Sequence, residues 1–408
     1  MRKITILFVL TMIILTACSP VVGPAPQLET PTAEILASPT AIPVTATPSP
    51  VPPTETPEAT PTEEATATST PVPQDYGPDN FPDDVNPLTG EAVSDPDLLD
   101  RRPLSIKIQM FPRGQRPDWG VSQADIVFDY YQNNGLTRLN AIFYGKDAEK
   151  AGPIRSARLL DGYLTRMYES VFAFGGADRR IFARLTSTEY ADRLVLEGSR
   201  NCPPMCREEP NTFNYLVTNT QDLSEYATSE GIDNSRQTLN GMSFQFDPPS
   251  GGEPGTQVTT RYSISAYNRW EYDDAVGRYV RFQDTKEASS EQEEDYAPFT
   301  DRLTNEQVSS ANVVILLVPT EDIIPSRETE IIDIKLSGKG TAYAFRDGQV
   351  YNVSWNAGPD SVLYLTNPDG SPFAFKQGNT WYEVIGQTSI VNDQNKDQGA
   401  WRFEFRMP

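Results

Sequence analysis

Two arginines three residues apart stand in Gly-Pro-Ile-Arg-Ser-Ala-Arg (152–158), within a 408-residue chain whose formal net charge is −22. Leu160, Tyr163, Leu164 and Met167 follow at helical spacing, which places Ser156 as the cap of a helix. Arg158 then sits in the first turn, where the helix dipole opposes a cation by about 0.3–1 kcal/mol. An anion above the helix start would reverse that penalty, because free backbone N–H groups and guanidinium together hold a carboxylate or phosphate. One reading therefore has Arg155, Ser156 and Arg158, with Arg138, gripping an anionic ligand. The other has the same arginines paired with internal carboxylates such as Asp125 or Asp129, fixing the fold.

Arg138 enters through a hairpin. Residues 124–131 alternate apolar and polar, 135–145 do so again, and Asn134-Gly135 between them is a strong two-residue turn signal. A loop of two or four residues there puts Asp129 and Arg138 on one face, so Asp129 is expected to orient a guanidinium.

Other chemistries are bounded by what the chain lacks. It has no histidine, which removes Ser-His-Asp and Cys-His catalysis and leaves too few soft ligands for zinc. Asp125, Asp129 and Asp161 could serve a carboxylate-based or metal-assisted hydrolase of envelope glycans, although their spacing does not point to a facing pair. Gly175-Gly176 follows a strand pattern but lacks both phosphate-loop and dinucleotide glycine patterns, so a tight turn is expected and no cofactor. Residues 393–404 place acids and amides at calcium-loop positions, yet the glycine falls at the seventh position instead of the sixth; a plain hairpin is expected and no metal. Trp270, Trp355, Trp381 and Trp401 are readable either as sugar-stacking platforms or as core. The acidic balance argues against nucleic acid as a partner and against a basic face on anionic lipid.

The elements that must hold these residues divide the chain. Arg2 and Lys3 precede an apolar run, Ile4 to Leu15, too short to span a bilayer and of signal-peptide length. It ends Leu-Thr-Ala-Cys (15–18), which resembles a bacterial lipobox and implies cleavage before Cys18 and a lipid on that residue, with an ordinary secretory signal or short anchor helix as the alternative. Either way the remainder lies outside the cytoplasm. Residues 19–74 hold 14 prolines and 12 threonines with no aromatic residue, and are expected to form an extended, disordered stalk. Cys202 and Cys206 are expected to close a small disulfide loop. Strand and helix patterns alternate up to about residue 245, predicting an α/β domain over 79–245. Short alternating runs separated by turn residues predict a mostly antiparallel β-rich domain over 246–408, with 286–298 as a mobile acidic surface insertion.

Several of these stretches together resemble one family. Asn-Pro-Leu-Thr-Gly-Glu-Ala-Val (86–93), residues 122–143, Gly-Pro-Ile-Arg-Ser-Ala-Arg and Val-Phe-Ala-Phe-Gly-Gly (171–176) are similar to the YerB-type lipoproteins, the DUF3048 family, and 311–319 and 338–385 to its C-terminal domain. The resemblance implies a two-domain surface lipoprotein without an established reaction. It also exposes a departure: where the family carries an Arg-x-Ala-Pro-His-Asn-like stretch, Pro210 and Asn214 align but Phe213 stands at the histidine position, which leans toward binding over catalysis. The expected protein is lipid-anchored on the extracytoplasmic face of the cell membrane. Its expected partners are an envelope polysaccharide, an anionic ligand or an envelope protein.

Overall fold

The strand β1 (Leu104–Gln109) reads Leu-Ser-Ile-Lys-Ile-Gln, apolar and polar residues alternating at the two-residue period of a strand. All six are buried nevertheless, so its polar face is covered by protein and not by water. The computed structural model describes residues 74–407 other than 209–214, 327–328 and 359–360, and these fall within one compact unit, Thr70–Pro408. Cys18, the stalk up to residue 73, and Pro210, Phe213 and Asn214 lie outside the described residues.

Next along the chain come β2 (Ile126–Asn133), β3 (Leu136–Phe143), helix α1 (Leu159–Met167), β4 (Val171–Phe174), helix α2 (Arg179–Leu185) and β5 (Leu194–Leu196). β1, β4 and β5 run parallel at one edge of the larger sheet, with β3 on the other side of β1 and β2 beyond it. The sheet does not stop there. β2 pairs in parallel with Thr380–Gly386, and the order continues through Asn312–Val318, Gly338–Arg346, Gln349–Ala357 and Tyr364–Thr366. One sheet thus crosses the boundary expected at residue 245. The described residues are mostly strand with few helices, and strand–helix alternation is confined to the edge where β4, α2 and β5 follow one another.

The second sheet is built from the C-terminal half alone, ordered Tyr296–Pro298, Arg278–Asp284, Tyr267–Asp273, Gln257–Arg261, Ala400–Glu404 and Ile390–Asn395. The last two are the hairpin expected over 393–404. Trp270, Trp355 and Trp381 are fully buried and Trp401 nearly so, which makes them core rather than a sugar platform. The acidic segment 286–298 is tied down more than its composition suggests. Tyr296–Pro298 pairs with Arg278–Asp284, and Glu294 is held by Arg261 and Arg402, with Arg402 Nη2 to Glu294 Oε1 at 2.7 Å. Cys202 and Cys206 form a disulfide.

Arg281 joins the two sheets. Its guanidinium reaches Asp129 Oδ2 at 2.6 Å from one nitrogen and Glu383 Oε1 at 2.8 Å from another. Trp270, Asn268 and Tyr262 donate further hydrogen bonds to Glu383. Two carboxylates share one buried cation, and burial followed by the Glu383 charge pushes the Asp129 carboxyl above its usual range.

Candidate functional site

The β2–β3 hairpin turns on Asn134 and Gly135, both at positive φ (52° and 78°), as a two-residue loop of this hand requires. The register then shifts: Asn133 faces Leu136, but Tyr131 faces Thr137, leaving Gln132 as an extra residue. That bulge reverses the parity of everything beyond it. Tyr130, not Asp129, lies opposite Arg138, so the expected pairing of Asp129 with Arg138 does not occur. Asp129 points to the other side of the sheet, into the Arg281 network.

On the Arg138 face, registers bring together residues from three strands. Lys107 is opposite Asn140, Gln109 is opposite Arg138, and Tyr130 is opposite Arg138 on the other side. Helix α1 covers part of this face and inserts Asp161. The fully buried Asp161 Oδ1 accepts from Tyr130 Oη at 2.5 Å and Asn140 Nδ2 at 2.9 Å, and lies 3.4 Å from Lys107 Nζ. Lys107 also donates to Tyr130 Oη. Burial drives the Lys107 ammonium down to about 7 despite the pull of Asp161, with Arg138 and Arg158 pushing the same way as burial.

The segment before α1 departs from expectation at Ser156. Residues 153–155 run beside β1 as an added strand, with Gln109 N donating to Pro153 O at 3.0 Å and Arg155 N to Lys107 O at 2.9 Å. Ser156 follows that segment and stands two residues before the helix cap, so it does not cap the helix. Arg158 occupies the cap position, and the third helical residue, Asp161, accepts the Arg158 backbone N–H at 2.6 Å. An internal carboxylate thus already serves the helix start, where an external anion was expected.

The guanidinium groups remain. Arg138 Nη1 donates to the Ser156 carbonyl at 2.7 Å. Arg158 donates to the carbonyls of Ala157 (2.9 Å) and Ser156 (3.3 Å) and to Gln132 Oε1 (2.7 Å). Arg155 Nη2 donates to Gln115 Oε1 at 2.9 Å. Neither Arg138 nor Arg158 forms an ion pair with a carboxylate among the described residues; both are only partly exposed. Burial, then the charge of Arg158, pushes Arg138 down to about 9, and burial lowers Arg155 and Arg158 as well. With Lys107 beneath them and Asp161 as the near counter-charge, this face carries more cation than anion inside a strongly acidic chain.

The three acids weighed for hydrolysis are each committed to a separate task. Asp125 accepts from the Tyr144 (2.6 Å) and Gly145 (2.9 Å) amides, Asp129 binds Arg281, and Asp161 serves Lys107 and the helix start. Asp129 and Asp161 lie on opposite faces of the sheet. Lys107, Tyr130 and Gln132 were not singled out as site residues from sequence, and Asp161 was weighed only as a hydrolytic carboxylate. The alternating Ser105, Lys107 and Gln109 were the available signal, since three polar residues on one face of an otherwise apolar strand must meet either water or partners.

The model of the N-terminal domain of the proteins of unknown function DUF3048 matches residues 88–233, and that of its C-terminal domain matches 258–382. The protein named "Putative lipoprotein YerB" of Bacillus subtilis (strain 168) is 26% identical over 304 residues, covering 73% of this chain and 85% of that protein. The crystal structure of the YerB protein from Bacillus subtilis is similar with a TM-score of 0.58 at 22% identity, covering 74% of this chain and 96% of that one, which concerns the fold alone.

Proposed function

The chain belongs to the YerB-type lipoprotein family built from the two DUF3048 domains, and on that premise we propose that it is a binding protein of the cell envelope. In this reading it is lipid-anchored through Cys18 on the extracytoplasmic face, and Arg138, Arg155 and Arg158 hold a carboxylate or phosphate of an envelope component. That component is an anionic ligand, a charged polysaccharide or an acidic surface of another envelope protein. One observation carries the reading: Arg138 and Arg158, partly exposed and side by side, spend their hydrogen bonds on neutral acceptors. Guanidinium groups that hold a fold together are usually matched to carboxylates, as Arg281 is here. A bound anion would offset the repulsion from Arg158 and supply the counter-charge that the buried Arg138 guanidinium lacks. Asp129 belongs to the fold and not to this site.

Calorimetric titration of inorganic phosphate and of acetate into the full chain in detergent, at low ionic strength, tests the proposal. Wild type is expected to bind one of the two, with affinity falling as salt is added. Arg138→Gln/Arg158→Gln is expected to weaken that binding at least tenfold. Binding that the double variant leaves unchanged, or no binding of either anion, contradicts the proposal.

A further inference from the structure

Asn-Pro-Leu-Thr-Gly-Glu-Ala-Val (86–93) is a stretch the anion site does not use, and it folds back on its first residue. Thr89 N and Gly90 N donate to the Asn86 carbonyl at 3.2 and 2.8 Å, and Asn86 N donates to the Glu91 carbonyl at 2.9 Å. The Asn86 side chain takes part through one atom only. Oδ1 accepts from Leu88 N at 2.9 Å, while Nδ2 has no hydrogen-bond partner although the residue is 1% exposed. This loop lies against the end of the β2–β3 hairpin opposite its turn, where Asp125 precedes β2 and Gly145 follows β3. Between them is a cavity of about 270 Å³, with Asn86, Thr89, Glu91, Asp125, Gly145 and Lys146 in its wall.

A buried amide nitrogen is almost always satisfied, so the unmet Nδ2 beside this cavity lacks an acceptor. Asp125 is half satisfied in the same way: Oδ2 accepts from the Tyr144 and Gly145 amides, and Oδ1 accepts no hydrogen bond among the described residues. Glycine at 145 serves space and not backbone angle. Its φ is outside the left-handed region, and a Cβ there would stand 2.6 Å from Asn86 Nδ2, so glycine leaves the place beside that nitrogen open. Glu91 and Lys146, both partly exposed, pair at 3.5 Å in the same wall. Both act on the Asp125 carboxyl, which burial pushes up to about 6 against its two amide bonds and Lys146, and with Glu91.

Nδ2 calls for an acceptor and Asp125 Oδ1 for a donor. A metal ion or an ammonium group supplies no acceptor and leaves Nδ2 unmet. A hydroxyl supplies both. Thr89, Glu91 and Lys146 add donors and acceptors that a ring of several hydroxyls meets and a single amide does not. Against about 30 Å³ for each water, the cavity has room for one such ring. We propose that it binds a single neutral sugar unit, at a site that shares no residue with the arginines.

Titration calorimetry of the full chain, in a detergent without a sugar head group, tests this with glucose, galactose, mannose, glycerol, ethanolamine and N-methylacetamide. At least one hexose is expected to bind saturably, about tenfold or more tighter than the other three probes. Asn86→Ser, whose hydroxyl can still accept from Leu88 N, withdraws the donor and should weaken that hexose about tenfold or more. Lys146→Met, at an exposed position, should weaken it about threefold or more and decides the matter where Asn86→Ser does not fold. Absence of hexose binding, or hexose affinity unchanged in the folded variant, overturns the proposal. Ethanolamine or N-methylacetamide binding tighter than every hexose overturns it in favour of a cation or an amide. Glycerol binding as tightly as the hexoses overturns it as well, since no ring is then being recognised. None of these outcomes bears on the anion site.

Discussion

Asp129 shows how one residue's position decides which interactions it serves. Sequence spacing allied it with Arg138, whereas the structure buries it between Arg281 and Glu383, where burial and the second carboxylate raise its pKa. A carboxyl whose folded pKa lies above its unfolded value near 4 holds its proton longer in the folded state. Its stabilising contribution is full in acid and is lost as pH rises through the raised folded value. Asp129→Asn, an isosteric neutral replacement, is therefore expected to flatten the fall in melting temperature between about pH 4 and neutrality. An unchanged slope would show that Asp129 ionises normally. Arg281 carries the opposite expectation: Arg281→Met leaves two buried carboxylates without a cation and should cost about 3–5 kcal/mol in denaturant unfolding.

At the scale of elements, α1 is positioned by Asp161. This one side chain satisfies the Arg158 amide at the helix start, balances Lys107 and accepts from Tyr130 and Asn140. Asp161→Ala is expected to lose about 3–5 kcal/mol, since it strands a buried ammonium as well as removing a helix cap. Lys107→Met/Asp161→Leu should recover most of that loss; full additivity of the two single losses would contradict the coupling. Much of this layer was legible in sequence: the turn at Asn134-Gly135, strands at 124–131 and 170–174, a helix carrying Leu160 to Met167, a helical stretch at 177–185, and the Cys202–Cys206 bridge. Two features were not. The bulge at Gln132 carries no local signature, because it is set by what each face must bury, and it alone moved Asp129 away from Arg138. The Ser156 cap failed because residues 153–155 are claimed as a strand by β1, a pairing more than forty residues distant in sequence.

The whole molecule is organised by one sheet that runs through both halves of the chain, with Val127 of β2 opposite Trp381 and Asp129 opposite Glu383. The change in character near residue 245 was visible in composition, but the parallel pairing of β2 with Thr380–Gly386 was not, since no periodicity reports a partner some 250 residues away. Shared strands imply shared stability: unfolding of residues 74–408 is expected as a single transition, and a fragment of residues 246–408 is expected not to fold alone. Two separate transitions would show that the halves are independent.

In the function proposed above, Arg138 and Arg158 are kept for a ligand and not for the fold. The direct measurement is the unfolding free energy of wild type and Arg138→Met/Arg158→Met, with and without the anion that titration identifies. Without ligand the two proteins are expected to differ by no more than about 1–2 kcal/mol, the loss of hydrogen bonds to neutral acceptors being offset by relief of cation repulsion. At 100 times the dissociation constant, ligand should add about 2.7 kcal/mol to wild type and nothing to the variant. A variant that has lost more than about 4 kcal/mol in the absence of ligand, with no ligand-dependent gain in wild type, would show that the arginines are a structural network and that the binding site lies elsewhere.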